Sequence, residues 1–451
     1  MSKIHKIKKG TNINLEGKAE QIYAQVNSPE TFAVKPIDFP GRRLKLAARE
    51  GDEVKAGQPL LYDKDHPEVK FASPVSGEVV KVHRGEKRRL LDVRVLADKE
   101  TQYVDFGTAE VESLDREAIK EKLLKSGCWP FMRQRPYNVT ANPERVPRDI
   151  FISCFDTGPL AADPDFIIHG RDKEFQTGIN ALAKLTDGKV HLGLDGSTNT
   201  SPVFSECKNV EKHFFTGPHP AGNVGVQIHK IKPVNKGETI FTINYQDVTI
   251  IGRLFLEGKY KAERALAVAG SEVKKPRYIK TLVGASVKNF LSDNVSDNEC
   301  RYISGNVLTG TKISPDGYLG FYDNLISVIP EGAEDEFLGW IAPNFGKFSM
   351  SRTLFHWINP NRTLNLTAKM NGEERAYVVT GEYEKVFPFD IFPVQLIKSI
   401  MINDIEAMEN LGIYEVVEED LALCEVVCTS KIPVQQTIRD GLNLMLEELG
   451  E

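Results

Sequence analysis

The sequence predicts a multidomain α/β protein, α+β in its overall mix, and three observations carry that expectation. At 451 residues the chain exceeds one ordinary core, and about three or four domains is the natural division. Its patterning changes along the length: Gly/Pro-punctuated β runs, then alternating strands and helices, then β runs again, then a helical tail. The composition, 41% hydrophobic and 27% charged, is that of a folded globular chain and not of a disordered one.

Residues 1–108 read as a β-sandwich of the biotinyl/lipoyl-carrier type. In "GDEVKAGQPLLYDK", Gly51-Asp52 makes a tight turn, Val54 points inward, and Gly57-Gln58-Pro59 turns into Leu60-Leu61. In "ASPVSGEVVKVHRG", Ser73-Pro74 enters a strand and Ser76-Gly77 turns into the alternating run from Glu78 to Val82. A true carrier domain presents one modifiable lysine at a hairpin tip. Asp63-Lys64 sits near that place, but the stretch from Lys64 to Ser73 is too long for such a hairpin and Pro67 disturbs it. A carrier-type fold used as scaffold is the reading that follows.

Residues 109–260 alternate strand and helix. A helix is expected over 112–127, with Leu114, Ile119, Leu123 and Leu124 at helical spacing and Gly127 as its stop. The aromatic, basic loop "CWPFMRQRPYNV" follows. Then "DIFISCF", "KVHLGLDG" and "VEKHFFTG" read as strands, and "FQTGINALAKLTDG" as an amphipathic helix closed by Gly188. That order suggests βαβ units and a partly parallel, Rossmann-like sheet. Residues 261–332 return to hairpin patterns with one short helix, as a β-grasp-like module would. A β-rich connecting segment is expected over 333–385, where "ERAYVVTG" alternates, and a helical domain over 386–451.

The formal net charge is −6, which argues against a nucleic-acid binder. No apolar run approaches the roughly 20 residues needed to cross a bilayer; the strongest, Phe387 to Ile402, is broken by Pro388, Asp390, Pro393 and Lys398. Met1 to Gly10 is Lys-rich with no apolar stretch behind it, so no signal peptide is expected. A cytoplasmic protein that reaches a membrane by docking to a partner is the expectation. The exposed-looking basic clusters (Lys6, Lys8, Lys9; Lys81, His83, Arg84, Lys87, Arg88, Arg89) would suit an acidic partner or anionic lipid, or simply solvent.

Chemistry-bearing motifs are scarce. A dinucleotide loop needs G-x-G-x-x-G between strand and helix, and Asp156-Thr157-Gly158-Pro159-Leu160 lacks it. The stretch Gly217 to Gly225 is glycine-rich, but its two prolines remove amide donors. The stretch Gly305 to Lys312 misses the P-loop pattern at Thr311. Of six cysteines only Cys424 and Cys428 are close, four apart on an expected helix; two thiolates make no cluster site, and buried reduced thiols are the default. There is no G-x-S-x-G and no H-E-x-x-H, and His219 and His229 read as structural. Catalytic residues, a metal site and a bound cofactor are therefore not expected. The aromatic loop is the best small-molecule candidate: Trp129, Phe131, Arg133, Arg135 and Tyr137 combine flat apolar faces with fixed donors, as a quinone requires. Trp129 and Phe131 would equally serve as anchors of a domain interface.

Eight strings in order, "IKKG", "GDEVKAGQ", "FASPVSGEV", "DTGPLAADP", the run Thr216 to Gly222, "INYQDV", "ISGNVLTGTK" and "DLALCEVVC", resemble the NqrA family of sodium-translocating NADH:quinone oxidoreductase subunits over roughly residues 3–448. The resemblance implies a β-grasp module of the SLBB-like kind. It also implies a peripheral subunit on the cytoplasmic face of the bacterial inner membrane, within a six-subunit complex that oxidises NADH, reduces quinone (ubiquinone or menaquinone) and exports sodium. NADH, flavins and iron–sulfur would belong to other subunits, and this chain would lie at the quinone end, docked on a membrane subunit. The family is related to the flavin-bearing NADH-binding subunit of respiratory complex I, whose glycine loop and four-cysteine motif are missing here. Residue chemistry and this analogy together nominate Phe39, from the loop "IDFPG", with Trp129, Phe131 and Arg133 as quinone contacts. The competing reading is a free-standing ligand-binding protein, or a flavin/NADH oxidoreductase, on a lipoyl-like scaffold.

Overall fold

A computed structural model describes residues 4–332, 339 and 344–449. Residues 1–3 and 450–451, and 333–338 and 340–343 of the expected connecting segment, lie outside the described residues. Four sheets form among those described.

The carrier-type region is a sandwich of two small antiparallel sheets. One orders Thr31–Val34, Leu90–Ala97, Gly77–Arg84 and Glu53–Val54; the other orders Leu44–Leu46, Pro59–Asp63 and Lys70–Ala72. Lys64 is exposed in the loop after Pro59–Asp63, and its neighbour Asp63 is buried beside Arg42 at 3.5 Å.

Next comes a mixed sheet of seven strands. Its parallel part runs Ile4–Lys6, Glu211–Thr216, Val190–Asp195, Ile150–Ser153 and Ile240–Thr242, and the antiparallel Arg133–Arg135 and Val139–Thr140 complete one edge. Side-chain alternation splits Ile150–Ser153 between two environments: Ile150 and Ile152 join the main core, while Phe151 packs with Ile228, Val234 and Ile240 in a smaller cluster. The second large sheet has six strands, ordered Thr311–Ile313, Cys300–Ser304, Leu325–Pro330, Glu263–Ala269, Arg277–Leu282 and Glu20–Tyr23.

The leading segment is the unexpected element. Ile4–Lys6 pairs in parallel with Glu211–Thr216, and Glu20–Tyr23 pairs in parallel with Arg277–Leu282. One short stretch thus supplies a strand to each of two sheets built from distant sequence.

The helix expected near 112–127 is Arg116–Ser126. Asp115 caps it by accepting the Ala118 N–H at 2.8 Å, and Gly127 ends it in the left-handed conformation at φ 76°. The helix Asp172–Leu185 ends at an extended Thr186, not at Gly188. Gly188 is needed for a different reason: a Cβ there would meet the Arg148 carbonyl at 2.1 Å. The alternating "ERAYVVTG" joins no ladder. Its Arg375 N–H and Ala376 carbonyl bond to Ser430, and Val378 and Val379 stay exposed. Among the described residues of the connecting segment, one isolated bridge, Leu15 to Leu364, and short helical turns replace the expected strands. The tail holds the helices Pro393–Met401, Ile405–Asn410, Ala422–Val427 and Val434–Leu449.

Helices Asp172–Leu185 and Tyr245–Glu257 approach each other through glycine. A Cβ on Gly178 would meet the Val248 carbonyl at 2.1 Å, and one on Gly252 would meet the Glu174 carbonyl at 1.8 Å. These obstacles are backbone, which cannot rotate aside. Gly252→Ala is therefore expected to destabilise the α/β domain by about 1–3 kcal/mol, the range for overpacking a filled interface. A lowered apparent melting midpoint by differential scanning calorimetry would show it, and an unchanged midpoint would mean the helices separate freely.

Candidate functional site

Three domains meet where the aromatic loop leaves Gly127. A Cβ on that glycine would touch the Ala72 methyl carbon at 2.5 Å, so the loop starts hard against the carrier-type sandwich. Phe131 then stacks on Phe321 at 4.9 Å and on Tyr260 at 6.1 Å. Phe39 reaches the same Phe321 ring at 4.9 Å and Phe71 at 4.3 Å. Tyr322 donates its hydroxyl to the Pro130 carbonyl at 2.7 Å, and the Arg133 guanidinium lies 4.9 Å over its ring. The structure thus brings Phe39, Phe131 and Arg133 together around Phe321 and Tyr322. Trp129 points elsewhere: its indole N–H donates to the Ala141 carbonyl at 2.8 Å and its ring meets Phe241 edge-on.

Burial decides what these groups can do. Phe39, Trp129 and Phe131 are 2% exposed or less, whereas Arg133 is half-buried. The three rings are packed on protein neighbours, as interface anchors are. Of the four expected quinone contacts, Arg133 has solvent-facing surface.

Charges fasten the same point. The Phe321 N–H donates to Asp38 at 3.0 Å and the Phe321 carbonyl accepts from Arg264 at 2.9 Å. Arg264 also faces Asp247 at 2.8 Å, both without solvent exposure. Burial lifts the Asp247 carboxyl to about 6 against the pull of Arg264. Asp38 is likewise raised to about 6 by burial, with Lys35 opposing and Asp323 reinforcing.

A second junction binds the helical tail to the sheet. Arg135, 1% exposed, donates to Glu419 at 2.7 Å and to Asp420 at 2.9 Å. Asn138 donates to Glu418 at 3.2 Å, and Arg439 bridges Glu418 and the Tyr137 carbonyl. Burial pushes the Asp420 carboxyl up to about 6, with Arg135 holding it down and Glu419 pushing it further up.

The crevice at the carboxyl ends of parallel strands is where open α/β sheets bind ligands. Here the chain occupies it. The Gly222 N–H donates to Thr157 at 3.0 Å, and buried Gln227 donates to Ser153 at 2.8 Å. A Cβ on Gly193 would strike Gln227 at 1.9 Å, and one on Gly225 would strike Asp420 at 2.2 Å. The stretch Gly217 to Gly225 is a filler of that space, and His219 within it is bonded to Thr157 at 3.1 Å. His229 pairs with Glu415 at 2.8 Å. Cys424 and Cys428 are both buried free thiols, and burial drives the Cys424 thiol well above its ordinary range. In the basic cluster from Lys81 to Arg89, His83 pairs with Asp92 at 3.0 Å, while Lys81, Arg84, Lys87, Arg88 and Arg89 are exposed.

Sequence reasoning missed Phe321, Tyr322, Glu419, Asp420 and Gln227. The string "GYLGFYDN" does show two adjacent aromatics in a Gly/Asp turn, and "EED" shows a charge run. Neither names its partner.

Sheets of carrier, nucleotide-fold and β-grasp type, locked to one another, define a multidomain α/β protein. Its relatives show which. Residues 5–98 match the NqrA N-terminal barrel-sandwich hybrid domain, residues 114–260 the NqrA second alpha/beta domain, and residues 265–314 the NQRA C-terminal domain, an SLBB-type module. The A subunit of the Na(+)-translocating NADH-quinone reductase from Vibrio anguillarum is 39% identical over 445 residues, covering 98% of this chain and 99% of the relative. Its counterpart in Neisseria meningitidis is 38% identical over 447 residues, and that of Histophilus somni 38% over 445, with the same coverage. The chain belongs to the NqrA family.

Removing Arg135 would leave Asp420 buried beside Glu419 without its counter-ion. Arg135→Ala is expected to cost about 3–5 kcal/mol at neutral pH. Asp420 is raised above its unfolded value of about 3.9, so the folded state holds this proton more tightly and stability falls as pH rises through the window between the two. Losing Arg135 raises the carboxyl further. The deficit of the variant should therefore shrink as pH falls from about 8 to 5, and equal deficits at both ends, by denaturant titration, would contradict the assignment.

Proposed function

We propose that this chain works as the NqrA component of a sodium-translocating NADH:quinone reductase. It sits on the cytoplasmic face of the membrane, docked to a membrane subunit, and contributes to the quinone end of the pathway. NADH, flavins and iron–sulfur clusters are carried by other subunits, and the isolated chain is not a catalyst. The observation that carries this reading is the likeness to NqrA relatives over 98% of this chain and 99% of theirs, so that the match spans whole chains and not one shared domain. No helix among the described residues is long and apolar enough to cross a membrane, in keeping with a peripheral subunit. Distant common descent with the flavin-bearing NADH-binding subunit of respiratory complex I is part of the same proposal.

Quinone contact is assigned to the surface that Phe39, Trp129, Phe131 and Arg133 shape. Arg133 supplies the polar contact: a guanidinium beside a quinone carbonyl stabilises the negative charge that builds on oxygen during reduction. Phe39 and Phe131 hold Phe321 and Tyr322 under it, and Trp129 fixes the turn from which Arg133 emerges.

Tagged chain recovered from detergent-solubilised native membranes is expected to bring down other subunits and a sodium-stimulated NADH:quinone reductase activity. Recovery of the chain alone, without that activity, would favour a free-standing ligand-binding protein. In the assembled complex, Arg133→Ala is expected to slow quinone reduction by about tenfold to 150-fold, the roughly 1.5–3 kcal/mol of a lost hydrogen bond to a charged group. Phe131→Ala should slow it through the same surface. Unchanged rates and unchanged inhibition at the quinone site in both variants would remove the quinone assignment while leaving the reading as a complex component intact.

A further inference from the structure

On the α/β sheet, away from the aromatic junction, three potential metal ligands converge. Parallel pairing sets His191 directly opposite Glu211, and His213 lies two residues further along the same strand, on the same face. Their donor atoms all lie within 4.8 Å of one another. His191 Nδ1 is 3.0 Å from His213 Nε2, and Glu211 carboxylate oxygens are 4.0 and 3.8 Å from those two nitrogens.

We propose that His191, Glu211 and His213 bind one divalent transition-metal ion, zinc being the best match, through two imidazole nitrogens and one carboxylate.

Three observations support it. Zinc–nitrogen bonds of about 2.0–2.1 Å place two ligands of a tetrahedral ion roughly 3.3 Å apart. The observed spacing brackets that value, and the Glu211 side chain, 55% exposed, can swing inward by the small distance required. Two imidazoles and a carboxylate are a borderline donor set that suits zinc and leaves a fourth position for water.

The third observation is the support behind His191. Its other ring nitrogen faces the Asp149 carboxylate at 3.5 Å. Asp149 is itself fixed by Arg148 and Lys232, each at 2.9 Å, and by the Lys189 N–H at 3.1 Å. At hydrogen-bond distance a carboxylate behind a ligating histidine holds the proton on the far nitrogen; here the 3.5 Å contact is an electrostatic one that favours the same ring orientation. His5, on the adjoining strand, lies with its ring 6.0 Å from that of His213.

A simple hydrogen bond between the two imidazoles would also place them 3.0 Å apart, but it gives Glu211 no part. That difference makes the proposal testable on the tag-free full chain after chelator treatment. Zinc titration by calorimetry is expected to show one site, and cobalt(II) at the same site should give the visible absorption of a low-symmetry nitrogen/oxygen complex. His213→Ala and Glu211→Gln should each weaken zinc binding by more than about 100-fold, the upper range for loss of even an outer-shell partner. Glu211→Gln alters an exposed side chain, so its metal-free melting should match the parent and any loss of binding is then local. No one-to-one binding, or binding equally strong in both variants, would overturn the proposal.

Discussion

The guanidinium of Arg135 carries a permanent charge into a space that water does not reach, and the fold is arranged around that fact. A charge so placed is tolerable when anions meet it at hydrogen-bond distance on firm backbone. Glu419 and Asp420 do so from the far end of the chain, and the Asp420 carboxylate also accepts the Val417 N–H at 3.0 Å, which fixes its own position. The edge of the α/β sheet is thus completed by the helical tail. Neither part reaches its final electrostatic balance without the other.

The same logic explains the filled crevice. A nucleotide-type sheet usually ends in open backbone amides waiting for a phosphate. Here Thr157, Gly222 and Gln227 satisfy their hydrogen bonds within the chain, and Gly193 and Gly225 allow the approach by having no side chain. The ring cluster around Phe321 is packed on protein neighbours in the same way, with Arg133 and Tyr322 only partly buried at its margin.

Local features were legible in the sequence because their causes are local. Asp115 and Gly127 bracket a helix by capping and by left-handed backbone, both written within one turn of its ends. Gly217 to Gly225 reads as a turn because its prolines forbid a phosphate cradle. The strands Ile4–Lys6 and Glu20–Tyr23 were illegible, since three or four residues show no period and their partners lie elsewhere. The "ERAYVVTG" run shows the opposite failure: alternation without a neighbouring strand is only an extended segment. The aromatic loop was recognisable as apolar and basic, and its position at an interface was foreseeable. Its partners, Phe321 and Tyr322 on one side and Glu418 to Asp420 on the other, are set by tertiary structure alone.

The two leading strands bear on how the protein is made. Ile4 pairs with Phe214, and Glu20 pairs with Arg277. At ribosomal rates of about 5–20 residues per second, the later of these partners emerges roughly 10 to 50 seconds after its strand is synthesised. During that interval the carrier-type sandwich can close on its own local hairpins, while the segment before it waits unmated. The order of birth and the order of docking are therefore reversed for this stretch. A stretch made before the sandwich is thus fastened only after the sandwich can have closed.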